Sequence, residues 1–380
     1  MAKGAKRKGR SRRWLLGAGG IVAALAAWGF VSCIPPRSFK AVKSPREGRA
    51  MNNTVAVVYS KHYQINLGGP ERMHPFDIRK YSKIYLKLNT DGLLRPADVF
   101  VPEPVSRAEL LRVHTPAYLE SLKSSGNVAR YLEAPLVAAM PAKLVDAGIL
   151  NAFRYASGGT ILAGRKALKH GIAVNLGGGL HHARADLGEG FCVYADMAIA
   201  IRVLQGEGLV KRALIVDLDV HQGNGSAEIF AGDESVFTFS MHQGDIYPIP
   251  KAKSDLDVEV PAGTGDEEYL AILASHLPKV MAAARPDVVF LQAGADTLAG
   301  DQLGGLRMSP EGIARRDGMV IDRCVEAGIP VMMCLGGGYS DRAWEAQYLS
   351  VRRTVLKYGL AGQRPHPRRD PTAKERFYTK

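Results

Sequence analysis

The sequence has little cysteine, and none of it is spaced for metal binding. Four cysteines, at positions 33, 192, 324 and 334, are spread over 380 residues. None forms a C-x-x-C pair, which argues against a zinc knuckle and against a disulfide framework. Cys324 and Cys334 lie in apolar stretches and are predicted to be buried small side chains.

The middle of the chain also lacks the interleaved aromatic and basic residues of a nucleic-acid surface. The formal net charge is +13, but much of this excess lies before residue 14 and after residue 363. This distribution argues against a specific nucleic-acid partner. A hydrophobic content of 46% and a charged content of 23% are ordinary for a globular protein. The length suffices for one large α/β domain or two ordinary domains.

Charged residues are absent from Trp14 to Ile34, a run that is long enough to span a bilayer as a helix. Basic residues precede it, and Ser11–Leu16 resembles a twin-arginine export signal. We therefore expect a membrane-anchored or exported (periplasmic) protein, with cleavage and retention of the segment both open. The predicted organisation is a basic and hydrophobic signal or anchor segment at 1–34, a linker at 35–50, one folded domain at 51–362 and a basic tail at 363–380.

Short apolar segments alternate with longer amphipathic ones from residue 54 onward. Strands are predicted at 54–59, 172–176, 213–216, 236–239, 287–292 and 330–335. Helices are predicted at 76–94, at 142–170 with an interruption at Gly158-Gly159, and at 195–205, 226–230, 267–284, 310–327 and 341–358, with a capping box at 106–109. This order predicts a single-domain, three-layer α/β/α protein with a mostly parallel central sheet.

The stretch Ala213–Gly225 combines a buried strand with a polar end. Its apolar β-branched start is followed by Asp217, Asp219 and His221 at alternate positions. Alternate strand positions share a face, so the three side chains can converge on one point. Oxygen and nitrogen ligands at a strand end predict a metal site.

Other predicted strands also end in reactive side chains. His181 and His182 follow strand 172–176 across three glycines, Asp296 follows strand 287–292, and Tyr339 follows strand 330–335 across three more glycines. Ser240 ends strand 236–239. The carboxyl ends of parallel strands are where open α/β sheets bind ligands, so these residues predict one shared site.

The residue types in this site suit metal-assisted hydrolysis. Asp219, His221 and Asp296 supply three ligands and leave positions open for water and substrate, as in a catalytic zinc site. The tandem histidines are candidate proton acceptors, with Asp217 and Asn224 available to orient them. Tyr339 can donate its hydroxyl to a developing oxyanion.

Together, five motifs resemble the zinc-dependent histone deacetylase family, within the arginase/deacetylase fold, over about residues 55–360. They are GGGLHH at 177–182, GFC at 190–192, DLDVHQGNG at 217–225, GAD at 294–296 and GGY at 337–339. HPFD at 74–77, GFCVYAD at 190–196 and LGGL at 303–306 are most similar to the class IV branch. The resemblance implies that residues 51–362 form a deacetylase catalytic domain.

The resemblance also implies a role for each matching residue. Zn²⁺, one per chain, would be bound by Asp219, His221 and Asp296. His182 would be general base and then acid, oriented by Asn224, with His181 and Asp217 mainly electrostatic and Tyr339 polarising the acyl carbonyl. The substrate tunnel would be lined by Gly190, Phe191, Leu303 and Gly338. A potassium ion would be bound by Asp217, Asp219, His221, Ser240 and Met241.

The implied reaction is removal of an acetyl or longer acyl group from a lysine-type or polyamine nitrogen. A binuclear manganese ureohydrolase of the same fold is an alternative, but the positions after His221 and Asp296 hold no extra carboxylates for a second metal. A catalytically silent, membrane-associated acyl-binding protein is a second alternative. The sequence leaves the substrate, the acyl-chain length and the oligomeric state open.

Overall fold

A computed structural model describes residues 53–65, 67, 69, 71 and 74–361 of the chain. Within these residues, eight strands form one sheet in the order β2-β1-β3-β8-β7-β4-β5-β6. The strands are β1 (Thr54–Val58), β2 (Val99–Phe100), β3 (Gly171–Asn175), β4 (Ala213–Asp217), β5 (Val236–Gln243), β6 (Leu256–Val260), β7 (Val288–Gln292) and β8 (Val331–Cys334). Every neighbouring pair is parallel, so all carboxyl ends lie at the same edge.

Within the described residues, helices lie between all strands that are consecutive in the chain except β5 and β6. The helices are α1 (Lys80–Thr90), α2 (Arg107–Leu110), α3 (Pro116–Ser121), α4 (Ser125–Tyr131), α5 (Ala142–Val145), α6 (Asn151–His170), α7 (Asp196–Gly206), α8 (Asn224–Ile229), α9 (Asp266–Ala284), α10 (Pro310–Glu326) and α11 (Ala343–Tyr358). Short 3₁₀ turns occupy Lys61–Tyr63, Pro96–Asp98 and Pro135–Ala139, and a π-helical turn, Asp146–Leu150, joins α5 to α6.

The sheet is buried on both faces because alternate residues of each strand point to opposite sides. In β4, Leu214 and Val216 pack into one apolar cluster with α1, α9, α10 and α11. Ala213 and Ile215 pack into a second cluster with α6, α7 and the short helices before them. The predicted three-layer arrangement with a parallel sheet is therefore confirmed. Both faces of the sheet are occupied, which leaves its carboxyl edge as the place for a site.

The predicted helix interruption at Gly158-Gly159 is wrong, since α6 runs without a break through both residues. A Cβ atom on Gly158 would stand 3.1 Å from the carbonyl carbon of Glu103, and one on Gly159 would stand 2.8 Å from Oδ1 of Asn175. The glycines therefore serve close packing against neighbouring backbone and side chains. The two strands at the sheet edges, β2 and β6, were not predicted from the sequence, and the helix expected at 76–94 begins only at Lys80.

The predicted signal or anchor segment, linker and basic tail, residues 1–34, 35–50 and 363–380, lie outside the described residues. Among the residues that are described, no helix combines the length and apolarity needed to cross a bilayer. The domain boundaries stay predictions.

Candidate metal centre and catalytic pocket

Three buried side chains converge at the carboxyl ends of two neighbouring strands. Asp219 and His221 follow β4, and Asp296 follows β7, which is hydrogen-bonded to β4 along its length. One potential ligand atom from each residue lies within 4.8 Å of the other two. Nδ1 of His221 is 3.1 Å from Oδ1 of Asp219 and 3.3 Å from Oδ2 of Asp296. The structure thus brings together the three residues that the sequence singled out.

This cluster fits a divalent cation better than it fits a hydrogen-bonded network. Oδ2 of Asp296 is buried and accepts no hydrogen bond of normal geometry, although Nδ1 of His221 lies 3.3 Å away. Such an oxygen is costly to bury unless a cation binds it. Burial and the nearby carboxylate of Asp219 raise the pKa of Asp296 to about 7. Two oxygens and one nitrogen are a donor set that Zn²⁺ accepts. A Cβ atom on Gly337 would stand 2.6 Å from Oδ2 of Asp219, so only glycine allows this close approach.

The two histidines that follow β3 lie side by side but have different partners. Their ring centroids are 4.0 Å apart. Nδ1 of His181 donates to Oδ2 of Asp217 at 2.7 Å, whereas Nδ1 of His182 donates to Oδ1 of Asn224 at 2.6 Å. Each hydrogen bond leaves Nε2 of its ring available for other contacts.

These partners set different protonation states. Burial disfavours the charged form of His181, but the carboxylates of Asp217 and Asp219 outweigh it and raise its pKa to about 9. Burial, together with the charges of His181 and His221, lowers the pKa of His182 well below its usual range. His182 is therefore neutral near pH 7 and can accept a proton, while His181 with Asp217 forms a charged pair.

Tyr339 closes the pocket from the glycine run that follows β8. Its ring centroid lies 6.1 Å from that of His221 and 5.9 Å from that of Phe191. Burial and the carboxylates of Asp219 and Asp296 raise the pKa of the phenol well above its usual range. The hydroxyl therefore keeps its proton and can donate a hydrogen bond.

A tight turn at residues 189–192 positions the ring of Phe191, which lines the pocket. Glu189 and Cys192 exchange backbone hydrogen bonds of 3.1 and 2.9 Å, and the two residues between them have positive φ, +54° at Gly190 and +64° at Phe191. Such a conformation at Phe191 costs about 1–3 kcal/mol. A Cβ atom on Gly190 would stand 2.5 Å from Cδ2 of His182. The turn therefore brings backbone and one aromatic ring against the histidine pair.

The other predicted wall residues lie farther out. The pocket beside the three candidate metal ligands is lined by residues that include Gly190 and Phe191. Leu303 is a surface residue, 39% exposed, and its backbone N–H donates to Asp301. Gly338 packs against the side chain of Ala343. Leu303 and Gly338 do not belong to the described lining of this pocket.

The residues predicted to bind potassium lie on β5 or at and just beyond the end of β4, its neighbour in the sheet. Ser240 is the register partner of Asp217 in the β4–β5 pair, and Met241 follows it in β5. The hydroxyl of Ser240 lies 2.9 Å from Nδ1 of His242. Potassium binding by Asp217, Asp219, His221, Ser240 and Met241 stays a prediction.

Two residues near the site were missed from the sequence. Tyr247 lies with its ring centroid 5.0 Å from that of His182 and 6.3 Å from that of His221, and it is 38% exposed. It sits in a loop away from any predicted strand end, so no sequence signal marked it. Lys80 is buried, and burial lowers its pKa to about 8. Its spacing of four from Ile84 and eight from Leu88, both on the buried face of α1, was a signal that could have been used.

An apolar cavity of about 280 Å³ adjoins the pocket beside the three candidate metal ligands. Three aromatic rings, those of Phe76, Phe153 and Phe191, line both spaces. The remaining walls of the larger cavity are mostly aliphatic, and they include Leu132, Val137, Met140 and Ile149. An apolar group that enters the smaller pocket therefore has an apolar space beside it.

Comparisons with known proteins agree with this geometry. The family model for the histone deacetylase domain matches residues 74–355. The chain is 42% identical over 295 residues to an uncharacterized protein of Picosynechococcus sp., covering 77% of this chain and 94% of that one. It is 41% identical over 314 residues to histone deacetylase 2 of Arabidopsis thaliana, covering 82% and 81%. The crystal structure of the HDA15 HD domain superposes with a TM-score of 0.63 at 25% identity and covers 79% of this chain and 90% of that one.

Proposed function

The chain belongs to the histone deacetylase family of hydrolases, and on this premise we propose that it is a zinc-dependent amidohydrolase that removes an acyl group from a lysine-type or polyamine nitrogen. The observation that carries the proposal is the meeting of Asp219, His221 and Asp296 within 4.8 Å beside a neutral histidine and a protonated phenol. These are the ligand set, the base and the carbonyl-polarising donor that amide hydrolysis needs.

In this proposal Asp219, His221 and Asp296 hold Zn²⁺. When bound, the ion would supply Lewis-acid polarisation of the acyl carbonyl and would make the attacking water more acidic. His182 accepts a proton through Nε2 as water oxygen bonds to the acyl carbon, because its Nδ1–H is committed to Asn224. It then delivers this proton to the nitrogen as the C–N bond breaks, so that an amine and a carboxylic acid leave.

The remaining polar side chains stabilise charge. The hydroxyl of Tyr339 donates to the carbonyl oxygen, which becomes negative as water attacks. His181 is held protonated by Asp217 at 2.7 Å and places a positive charge near the reacting centre. Because a buried Tyr339 resists ionisation, this hydrogen bond persists across the physiological pH range.

We also propose that the acyl group ranges from acetyl to long aliphatic chains. The support is the apolar cavity of about 280 Å³ that shares three aromatic rings with the catalytic pocket. Burial of each methylene contributes about 0.8 kcal/mol, so a chain that reaches this cavity gains affinity with length. Gly190 and Phe191 would flank the chain, with Leu303 and Gly338 farther out.

Two further proposals concern the surroundings of the site. Potassium binding at the β4–β5 strand ends, by Asp217, Asp219, His221, Ser240 and Met241, would neutralise carboxylates beside the zinc site. The uncharged run at 14–34, with basic residues before it, supports a membrane-anchored or exported protein. Chromatin is then not the substrate, and an acylated lysine side chain or acylated amine outside the cytoplasm is.

The test is hydrolysis by the purified full-length protein supplied with Zn²⁺. Peptides with an acetyl-, octanoyl- or myristoyl-lysine and an acetylated polyamine would be incubated with it, and release of free amine measured. We expect turnover of at least one of these substrates, abolished by a chelator and restored by Zn²⁺. Absence of acyl release from all of them would reject the proposal and favour a silent acyl-binding protein, while release of urea from a guanidino compound would favour the ureohydrolase alternative.

A further inference from the structure

A carboxylate lies directly behind the asparagine that contacts His182. Oδ1 of Asn224 accepts from Nδ1 of His182 at 2.6 Å. On the other side, Nδ2 of Asn224 donates to Oε1 of Glu189 at 2.5 Å. The two ends of one amide thus have partners of opposite kind, and the three residues form a chain of hydrogen bonds that leads from the surface to the catalytic histidine.

We propose that Glu189 is a positioning residue that fixes the orientation of the Asn224 amide and, through it, the tautomer of His182. The inference rests on the proposed function of His182 as the base. The residues on either side of Glu189, Gly188 and Gly190, have no side chain and cannot take this role.

An amide needs such a partner because its oxygen and nitrogen ends have nearly the same shape. If Asn224 were flipped, its NH₂ group would face His182 and favour the tautomer with the proton on Nε2. That tautomer has no lone pair directed at the attacking water and cannot act as the base. A carboxylate only accepts hydrogen bonds. Glu189 therefore pairs favourably with the NH₂ group of Asn224 and would repel its carbonyl oxygen.

Glu189 is itself held in place. Nε of Arg184 donates to the same oxygen, Oε1, at 2.8 Å, and the backbone of Glu189 belongs to the tight turn that ends at Cys192. The side chain of Glu189 is 23% exposed. Because Asn224 lies between them, the charge of Glu189 is one residue removed from His182, whereas Asp217 contacts His181 directly. Glu189 can therefore orient His182 through Asn224 without placing a negative charge in direct contact with the imidazole, which would favour its protonated form.

The test compares four variants of the full-length protein with Zn²⁺ supplied, together with a control. Glu189→Ala removes the acceptor, and we expect kcat to fall on the order of 10-fold with KM within about twofold, the lower end of the loss typical of groups that orient a reacting residue. Glu189→Gln keeps an acceptor oxygen and should lose less than about threefold. Glu228→Gln is the matched control, since Glu228 also pairs with Arg184, at 3.2 Å, and we expect wild-type kinetics for it.

The most discriminating variant exchanges the carboxylate of Glu189 and the amide of Asn224. Asn224→Asp alone places a second carboxylate against Glu189 and should be the least active variant. Glu189→Gln combined with Asn224→Asp restores one amide and one carboxylate. A glutamine that turns its oxygen toward Arg184 presents its NH₂ group to the introduced aspartate and can donate to it. We expect the double variant to recover at least about fivefold over Asn224→Asp.

A readout that does not depend on activity is the ¹⁵N spectrum of the His182 imidazole. We expect wild-type protein to show the Nδ1–H tautomer and Glu189→Ala to show a mixture. Wild-type protein that hydrolyses no substrate would reject the proposed function but leave this spectroscopic test in force. An unchanged tautomer in Glu189→Ala, a double variant no better than Asn224→Asp, or a loss confined to KM would each overturn the role assigned to Glu189.

Discussion

Lys80 and Gly336 lie 256 positions apart in the chain and are joined by a hydrogen bond of 2.7 Å from Nζ to the carbonyl oxygen. The same ammonium group donates to the carbonyl of Gly337 at 2.9 Å and approaches that of Gly338 at 3.5 Å. It also lies 4.3 Å from the ring centroid of Phe76. The buried ammonium group of Lys80 thus holds the glycine run that precedes Tyr339 in place by hydrogen bonds. Replacing Lys80 should therefore lower both the stability of the fold and the rate of hydrolysis.

Replacing Lys80 by Met should lower kcat about 10-fold and lower the free energy of unfolding by about 1–3 kcal/mol, because buried carbonyls lose their charged donor. Lys80→Arg should retain most of the activity. Lys83→Met is the control, since Lys83 pairs with Asp77 through a side chain that is 42% exposed. Denaturant unfolding and steady-state kinetics measure the two effects, and wild-type values for Lys80→Met would exclude the bracing role.

Removing the Tyr339 hydroxyl should lower kcat by about 10²–10³ while KM changes little, since the hydrogen bond strengthens only as charge develops on the carbonyl oxygen. The variant is Tyr339→Phe, which keeps the ring contact with Phe191. Full progress curves on the best acyl-lysine peptide give both constants. A Tyr339→Phe enzyme with unchanged kcat would show that carbonyl polarisation has another source.

Replacing Asp296 by Asn should abolish metal binding and hydrolysis together, because the amide supplies neither the charge nor the second oxygen of a carboxylate ligand. Elemental analysis should find one zinc per chain in the wild type and none in the variant. Asp287→Asn is the control for loss of an acidic side chain elsewhere. Asp287 precedes the first residue of β7, at the opposite end of the strand from Asp296, and its carboxylate accepts a hydrogen bond from the backbone N–H of Lys211. Two manganese ions per chain in the wild type would instead support the ureohydrolase chemistry.

Filling the apolar cavity should shorten the preferred acyl chain. Val137→Phe adds a ring at a buried lining position, and we expect kcat/KM to fall at least about 10-fold for myristoyl-lysine and less than about twofold for acetyl-lysine. Leu144→Phe makes a comparable change at a residue that is 57% exposed and should leave both substrates unaffected. Equal losses on both substrates would mean that the long chain does not enter this cavity.

Stability should fall with acidification between about pH 6.5 and pH 4 because of His114. Burial lowers the pKa of this histidine to about 4, and its Nε2 accepts from the backbone N–H of Ala195 at 3.0 Å. Below about pH 6.5, His114 of the unfolded chain binds a proton, whereas His114 of the folded chain does so only near pH 4. Acidification across this range therefore favours the unfolded state. The loss of stability approaches about 3 kcal/mol at the acid end of this range. At higher pH the group is neutral in both states and makes no difference.

The measurement is denaturant unfolding of wild-type protein and of His114→Gln at several pH values. The variant has no group that titrates at this position, so its stability should decline less across the same acid range than that of the wild type. Parallel declines would mean that other groups account for the acid sensitivity.

The strand ends were predictable because each buried strand is a short apolar run and the polar residue that ends it is visible in the sequence. β4 is the clearest case, since Ala213–Val216 leads directly into Asp217 and Asp219. β2 and β6 escaped prediction because edge strands need only one paired side and show weaker patterns, as the half-exposed β6 does. The glycines of α6 were misread because the tertiary contacts that require them come from Glu103 and Asn175, outside the helix itself.

The sequence by itself determined the candidate ligand types, the six interior strands and the long helices, and the edge of the sheet at which Asp219, His221, Asp296, His182 and Tyr339 would meet, because hydrophobic period and strand polarity are local properties of a chain. Only the tertiary structure decided which atoms face one another: the carboxylate of Glu189 behind Asn224, the ammonium group of Lys80 beneath the Tyr339 loop, and the apolar cavity beside Phe191. These relationships depend on packing distances of a few ångströms between segments far apart in the chain, and no local pattern encodes them.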